Sequence, residues 1–207
     1  VKKSHHASHT TVVFDLGNVM VGWDPFLPFS DRMSREQWDR FAVDADFFSL
    51  NAKADSGVPC EEIIALAAGK CQDHGGLMRQ YYERFDRSLT GPVVGVADIV
   101  GELELGDLRL LGLTNWSTET FHHAPTSAPT IDRLEAIMVS GREGLAKPDP
   151  AIFHRLIERF ALTPTQTVFI DDSPRNVRTA HELGFTALRF TDAVSLRAAL
   201  EELHLLD

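Results

Sequence analysis

Residues 11–20 read TVVFDLGNVM, and this stretch decides the fold. Val12, Val13 and Phe14 form a β-branched and aromatic run of the kind that fills a strand buried on both faces. Asp15 closes the run, and Gly17 and Asn18 turn the chain. An acid at the carboxyl end of a central strand stands where open α/β sheets place their ligands. The pattern equally fits an aspartate that caps a turn, and later segments decide between the two.

Downstream of Gly91–Pro92, strand and helix patterns alternate. Residues 93–105 read as a helix with Val96, Ile99, Val100 and Leu103 on its apolar side. Leu108–Leu113 reads as a strand ending at Thr114. Residues 117–134 are loop-rich, with a short helix near Thr118–His123, and Ala136–Val139 is a strand ending at Ser140. Pro150–Phe160 is a helix with Asp149 as its cap and proline at its first position. Thr167–Ile170 is a strand ending in Asp171–Asp172. Ser173 caps a helix that runs from Pro174 to Leu183, Thr186–Phe190 is the last strand, and Leu196–Leu206 is a closing helix. This alternation predicts an α/β fold: a Rossmann-like parallel sheet covered by helices on both faces.

Residues 22–90 break the alternation. The segment 21–31 is irregular and aromatic, with two prolines. Ser34 and Gln37 form a capping box, and Trp38, Phe41 and Phe47–Phe48 follow on one helical side. A second helix starts at Pro59, carries Ile63, Ile64, Leu66 and Ala67, and ends near Gly69. Gly75–Gly76 separates it from a third, from Leu77 to about Leu89, with Tyr81, Tyr82 and Phe85. The expected organisation is a core of residues 10–21 and 91–207, interrupted after its first strand by an all-helical insert over 22–90.

The 207 residues suit one domain with a sizeable core, or a core with a small insert, and 43% of them are apolar. No stretch approaches the roughly eighteen uncharged apolar residues of a membrane span, and residues 1–9, VKKSHHASH, lack the apolar region of a signal peptide and read as a frayed polar leader. A formal charge of −10 argues against nucleic acid, because no basic excess is available to displace counterions. It leaves room for an anionic small molecule held by local donors and a cation. Cys60 and Cys71 flank an apolar helical segment and imply neither a disulfide framework nor a zinc site. The expected setting is cytoplasmic. The sequence does not fix an oligomeric state.

Polar residues stand at four strand ends or adjoining loops: Asp15, Thr114–Asn115, Lys147 and Asp171–Asp172. A parallel sheet gathers such ends into one crevice. Three carboxylates meeting there call for a cation, and hard oxygen ligands suit Mg²⁺, which also binds substrate phosphate. Lys147, between Ala146 and Pro148, offsets part of the negative charge, and Thr114 with the amides after it can hold phosphate oxygens. Taken singly, Asp171–Asp172 also fits a helix N-terminal charge pair, and Lys147 a surface lysine before a turn.

The chain resembles the haloacid dehalogenase-like hydrolases, on the phosphatase side. The resemblance rests on four motifs in family order: FDLGNV at 14–19, LTNWS at 113–117, AKPDPAIF at 146–153 and FIDDSPRNV at 169–177. It implies that the insert is the small helical cap of that family. It also implies that Asp15 is a nucleophile forming an aspartyl-phosphate, and that Mg²⁺ is bound by Asp15, the Gly17 carbonyl and Asp172. Thr114 and Asn115 would grip the phosphoryl group, Lys147 would pair with Asp15 and phosphate, and Asp171 would act through water or as a further acceptor. Gly17 departs from the family pattern, since the phosphatases usually carry an acid/base aspartate there. The DLGNV form resembles the α-D-glucose-1-phosphate phosphatase subgroup. The implied function is Mg²⁺-dependent hydrolysis of a small phosphorylated metabolite, such as a sugar 1-phosphate whose leaving oxygen needs less protonation. The alternatives are a metal-independent 2-haloacid dehalogenase, whose fourth motif usually carries a serine where this chain has paired acids, and a non-catalytic phosphate-metabolite binder. Trp23, Asp24 and Trp116 are candidate pocket residues, equally readable as a packing seam.

Overall fold

The computed structural model describes residues 9–207. Its centre is a five-stranded parallel sheet in the order β5-β4-β1-β6-β7, formed by β1 (Thr11–Phe14), β4 (Arg109–Thr114), β5 (Ala136–Val139), β6 (Thr167–Asp171) and β7 (Thr186–Arg189). The alternating α/β pattern is therefore borne out. β1 has β4 on one side and β6 on the other, with Phe14 in register with both Gly112 and Ile170. The order of strands reverses beside β1, which is the switch point where such sheets bind ligands.

Successive side chains of a strand point to opposite faces, and the core divides accordingly. Val12, Phe14, Leu110, Val168 and Ile170 pack with Ile99 and Leu103 of α5 (Val96–Leu105) and Leu196 and Leu200 of α10 (Ala193–Glu202). Val13, Leu111, Leu113 and Phe169 pack with Ile152, Phe153 and Leu156 of α8 (Pro150–Phe160) and Ala180 of α9 (Pro174–Glu182). Asp149 caps α8 by accepting from the Ala151 amide. Ser173 stands at the start of α9, but its hydroxyl makes no capping bond.

Four helices lie in the chain between β1 and α5: α1 (Arg35–Asp44), α2 (Phe47–Asp55), α3 (Cys60–Lys70) and α4 (Gln72–Glu83). The capping box at the head of α1 is present, with the Gln37 amide donating to Ser34 Oγ and the Ser34 amide to Gln37 Oε1. The aromatic run is two helices, not one. Asp46 takes a left-handed φ of 58° between them, so Phe47 is buried while Phe48 is largely exposed. Gly75 and Gly76 lie inside α4 and do not separate helices. A Cβ on Gly75 would come within 2.6 Å of Ala68 Cβ, so the missing side chain lets α4 lie close on α3. The apolar cluster under α5 and α10 continues through Leu16, Val19, Met20 and Val21 into Phe29, Trp38, Phe41, Phe47 and Tyr81.

Several boundaries differ from the sequence reading. The stretch read as irregular contains β2 (Val21–Trp23), which pairs antiparallel with β3 (Leu89–Pro92). The chain thus leaves the sheet region and returns to it through one two-stranded ribbon. The short helix expected at Thr118–His123 is α6 (His123–Ser127), and a further short helix, α7 (Ser140–Glu143), follows β5 directly. The closing helix starts three residues early because Asp192 caps it, accepting from the Ser195 amide. Residues 1–8 of the expected leader lie outside the described residues. His9, read as its last member, is buried and lies 2.8 Å from Thr186 Oγ1.

Candidate active site

The register of three strands assembles the site. The Asp15 amide donates to the Ile170 carbonyl at 2.8 Å, which carries Asp15 past the end of β1 and alongside Asp171. On the other side, β4 ends at Thr114. Lys147 reaches in from the loop before α8, and its Nζ donates to Asp15 Oδ1 at 2.9 Å, Asp171 Oδ2 at 2.6 Å and the Leu113 carbonyl at 2.9 Å. Asp15, Lys147 and Asp171 are all buried. Lys147 is therefore no surface lysine.

Asn115 fixes that loop. Its Nδ2 donates to the Lys147 carbonyl and its Oδ1 accepts from the Lys147 amide, both at 2.8 Å. The Asn115 side chain is thus a clamp on the lysine backbone. Asp171 is fully occupied as well. Its oxygens accept from Lys147, from the Ser173 amide at 2.9 Å and from Asn176 Nδ2 at 2.9 and 3.1 Å. Asn176, on the first turn of α9, is buried and orients this loop.

Asp15, Asp171 and Asp172 each offer a carboxylate oxygen within 4.8 Å of the others. Burial pushes the Asp15 carboxyl up to about 8; the Lys147 ammonium opposes this and the charge of Asp171 adds to it. Burial and then Asp171 likewise raise Asp172, against the pull of Lys147 and a hydrogen bond from Asn18. For Lys147, burial favours the neutral amine, but the charges of Asp15 and Asp171 outweigh it and hold the ammonium above its ordinary pKa. One lysine among three acids leaves the cluster short of positive charge, and a hard divalent cation fits that deficit. Since Asp171 is taken, the ligands on offer are Asp15, Asp172 and the Gly17 carbonyl. The turn bonds run from Val21 N to Leu16 O and from Asn18 N to Val21 O, and use no part of that carbonyl.

The Thr114 hydroxyl is buried and has no hydrogen-bond partner among the described residues. An unpaired buried hydroxyl costs stability, and this one ends β4, the strand that pairs with β1, where an incoming oxyanion could satisfy it. Next to it opens a cavity of about 90 Å³ lined by Gly17, Asn18, Trp23, Asn51, Asp55, Phe85, Asn115 and Trp116. Trp23 and Trp116 therefore line the cavity. They are also seam residues: Trp23 Nε1 donates to Tyr81 Oη at 3.2 Å, and the Trp116 ring lies 5.8 Å from Phe85. Asp24 is placed differently from the expectation. Its carboxylate is held by both terminal nitrogens of Arg35, at 2.8 and 3.2 Å, and accepts from the Phe26 amide.

Sequence reasoning passed over three polar cavity residues. Asn18 sits at a left-handed φ of 58°, a conformation asparagine tolerates; its Oδ1 accepts from the Trp23 amide and its side chain bonds Asp172. The Asn directly after Gly17 was the available signal. Asn51 and Asp55 lie one turn apart on α2, where a polar pair in a helical pattern reads as solvent-facing.

The sequence pattern of the haloacid dehalogenase-like hydrolases matches residues 50–190. The sesquiterpene phosphatase astK of Aspergillus oryzae is 22% identical over 92% of this chain and 94% of its own. Among solved structures, a haloacid dehalogenase family enzyme of Bacteroides thetaiotaomicron, in complex with magnesium and inorganic phosphate, superposes with a TM-score of 0.69 at 21% identity, covering 89% of this chain and 95% of its own. L-2-haloacid dehalogenase from Xanthobacter autotrophicus, with chloropropionic acid covalently bound, superposes with a TM-score of 0.65 at 17% identity over 94% and 83%. At these identities both structures share the fold. Among the described residues no helix is long and apolar enough to cross a membrane.

Proposed function

Because the chain belongs to the haloacid dehalogenase-like hydrolase family, we propose that it is a phosphatase that cleaves small phosphomonoesters by phosphoryl transfer to Asp15. The observation that carries this reading is the buried Asp15–Lys147–Asp171 array beside the orphaned Thr114 hydroxyl. Phosphoryl transfer asks a protein mainly for positioning and for charge stabilisation. Lys147 holds Asp15 in place and faces the phosphoryl oxygens, Asn115 holds Lys147, and Thr114 gives its hydroxyl to the transferring group. Mg²⁺ would be held by Asp15, the Gly17 carbonyl and Asp172, and would supply neutralisation of phosphate charge. The magnesium and phosphate in the Bacteroides relative support that assignment. The helices of residues 22–90 would serve as the cap and residues 10–21 and 91–207 as the hydrolase core.

The substrate we favour is a sugar phosphate, and a sugar 1-phosphate first, whose leaving oxygen needs less protonation than an ordinary alkoxide whichever group supplies the proton. Trp23, Phe85 and Trp116 give the cavity flat walls suited to a sugar face. The same walls suit the phosphate of an apolar alcohol, a second reading to which the name of the Aspergillus relative adds weight. A phosphomonoester panel with Mg²⁺ or with chelator tests the proposal. Phosphate release that needs Mg²⁺ and is lost in Asp15→Asn is expected, with glucose 1-phosphate turned over faster than glucose 6-phosphate. Absence of release from every ester would leave the non-catalytic binder, and chelator-insensitive chloride release from 2-haloacids would leave the dehalogenase.

A further inference from the structure

The cavity holds a carboxyl that the scheme above does not use. Asp55 is the last residue of α2 and lines the same cavity as Gly17, Asn18 and Asn115. At Gly17 itself a Cβ would meet nothing within 4 Å, so the space an aspartate side chain would fill there is open toward this cavity. We infer that Asp55, supplied by α2 from across the cavity, is the general acid and base of the reaction in place of a side chain at position 17. This deepens the phosphatase reading and rests on it.

Asp55 is held in place from several sides. Asn51 Nδ2 donates to its Oδ2 at 3.0 Å, which makes Asn51 a positioning residue. The Ser117 amide, in the loop after β4, bonds its carboxylate, and the Ser140 hydroxyl donates to its backbone carbonyl. Nearby, the Cys60 amide donates to Glu119 Oε1 at 2.7 Å and Cys60 Sγ lies 3.6 Å from Ser117 Oγ. The end of α2 and the start of α3 are thus tied to the loop that follows Thr114 and carries Asn115. The ionisable groups that its charge reaches are Cys60 on α3 and Tyr81 and Tyr82 on α4. None is a cation at neutral pH, so nothing among them draws the proton away. Burial pushes Asp55 up to about 7, with the Ser117 amide opposing, and a carboxyl poised there can both give and take a proton near neutrality.

The steps balance. An Asp15 carboxylate oxygen bonds phosphorus as the bond from phosphorus to the leaving oxygen breaks. The Asp55 carboxyl gives its proton to that oxygen, and the alcohol departs. Asp55, now a carboxylate, takes a proton from water as the water oxygen bonds phosphorus. The bond from phosphorus to Asp15 breaks, inorganic phosphate leaves, and Asp55 is protonated again.

The test is Asp55→Asn with Mg²⁺, on glucose 6-phosphate and on p-nitrophenyl phosphate, whose leaving group needs no proton. Turnover of glucose 6-phosphate should fall by about 10²–10⁴. p-Nitrophenyl phosphate should give a burst of nitrophenol equal to the enzyme concentration and then a slow phase, because aspartyl-phosphate hydrolysis has lost its base. Asp55→Glu should recover part of the loss. In the wild type, the ratio of the glucose 6-phosphate rate to the rate of nitrophenol release, both measured in single turnovers, should fall with rising pH above about 7, a ratio in which the ionisation of Asp15 cancels. This comparison decides the matter even if Asp55→Asn does not fold. A variant with wild-type turnover on both esters and no burst, or a pH-independent ratio, would overturn the role of Asp55 and leave the phosphatase reading standing. A wild type that releases no phosphate from either ester would overturn both.

Discussion

Lys147 Nζ lies 2.6 Å from Asp171 Oδ2, and each side chain is at most 1% exposed. The pair stands between the reaction and the rest of the protein, with Asp15 on the other side of the same ammonium at 2.9 Å. Asp171 is saturated by Lys147, Asn176 and the Ser173 amide. Its work is to hold the lysine, and through the lysine the nucleophile.

Removing the ammonium therefore strands two buried carboxylates. Lys147→Met keeps the length of the side chain up to Cε and deletes the charged nitrogen. It should cost about 3–5 kcal/mol of stability, the range for breaking a buried ion pair by removing one partner, and abolish turnover. Urea denaturation without added metal measures the first effect. A midpoint within error of the wild type would mean that the lysine is not the keystone of the cluster.

Magnesium should stabilise the protein through the same cluster. A ligand that binds only the folded state at a hundred times its dissociation constant adds about 2.7 kcal/mol. For a chain of this size each kcal/mol raises the melting temperature by roughly 2–4 °C, so a rise of about 5–10 °C is expected on saturation, reversed by chelator. Asp172→Asn should remove most of the rise. Asp171→Asn should retain part of it, because Asp171 is not one of the proposed ligands. Equal loss in the two variants would contradict the assignment of ligands.

Asp55 makes a prediction about stability that does not depend on catalysis. Burial raises its folded-state pKa to about 7, against an ordinary 3.8. As pH rises, the unfolded chain therefore gives up this proton first, and the folded state loses stability progressively between about pH 4 and pH 7. At pH 8 the cost is on the order of 2–4 kcal/mol, taking about 1.4 kcal/mol per pKa unit and some relief by solvent at the cavity. Asp55→Asn has the same shape without the titration. It should match the wild type near pH 3 and exceed its stability at pH 8, as measured by denaturation at the two pH values. A wild type that gains on the variant as pH rises would place a cation beside Asp55 where the described residues supply none.

What could be read from the sequence, and what could not, follows from how each signal arises. β1, β4 and β6 were legible because a strand buried on both faces must be an apolar run, and because the polar residue that ends each run is the one the sheet delivers to the site. Asp15, Thr114 and Asp171 came into view in this way, and Lys147 as a lone cation between Ala146 and Pro148 on an adjoining loop. The β2–β3 ribbon was not legible, since three or four residues with two glycines and a proline carry little strand signal. Nor was α4 across Gly75, where close packing on Ala68 outweighs the low helix propensity of glycine. Asp55 was missed for a different reason. Its burial is set by α2 docking on the loop after β4 and on the start of α7, some sixty to eighty-five residues away in sequence, and no local pattern encodes that contact.

The open space at Gly17 allows the proton donor to be moved. Gly17 is absent from the residues with positive φ, and a Cβ there meets no atom within 4 Å. The Cβ of an aspartate can therefore be introduced at this position without backbone strain or contact, and the carbonyl proposed to bind metal is left in place. In an Asp55→Asn background, Gly17→Asp should restore turnover of glucose 6-phosphate by at least about tenfold, a fraction of the 10²–10⁴ that general acid catalysis contributes. The nitrophenol burst should diminish in parallel, because the new carboxylate also serves the hydrolytic step. The magnesium-induced rise in melting temperature should persist in the double variant and certify that the metal site is intact. If the rise persists while turnover stays at the level of Asp55→Asn, a carboxyl on the Gly17 side of the cavity does not reach the leaving oxygen, and the shared cavity is no longer an argument for Asp55 as its donor.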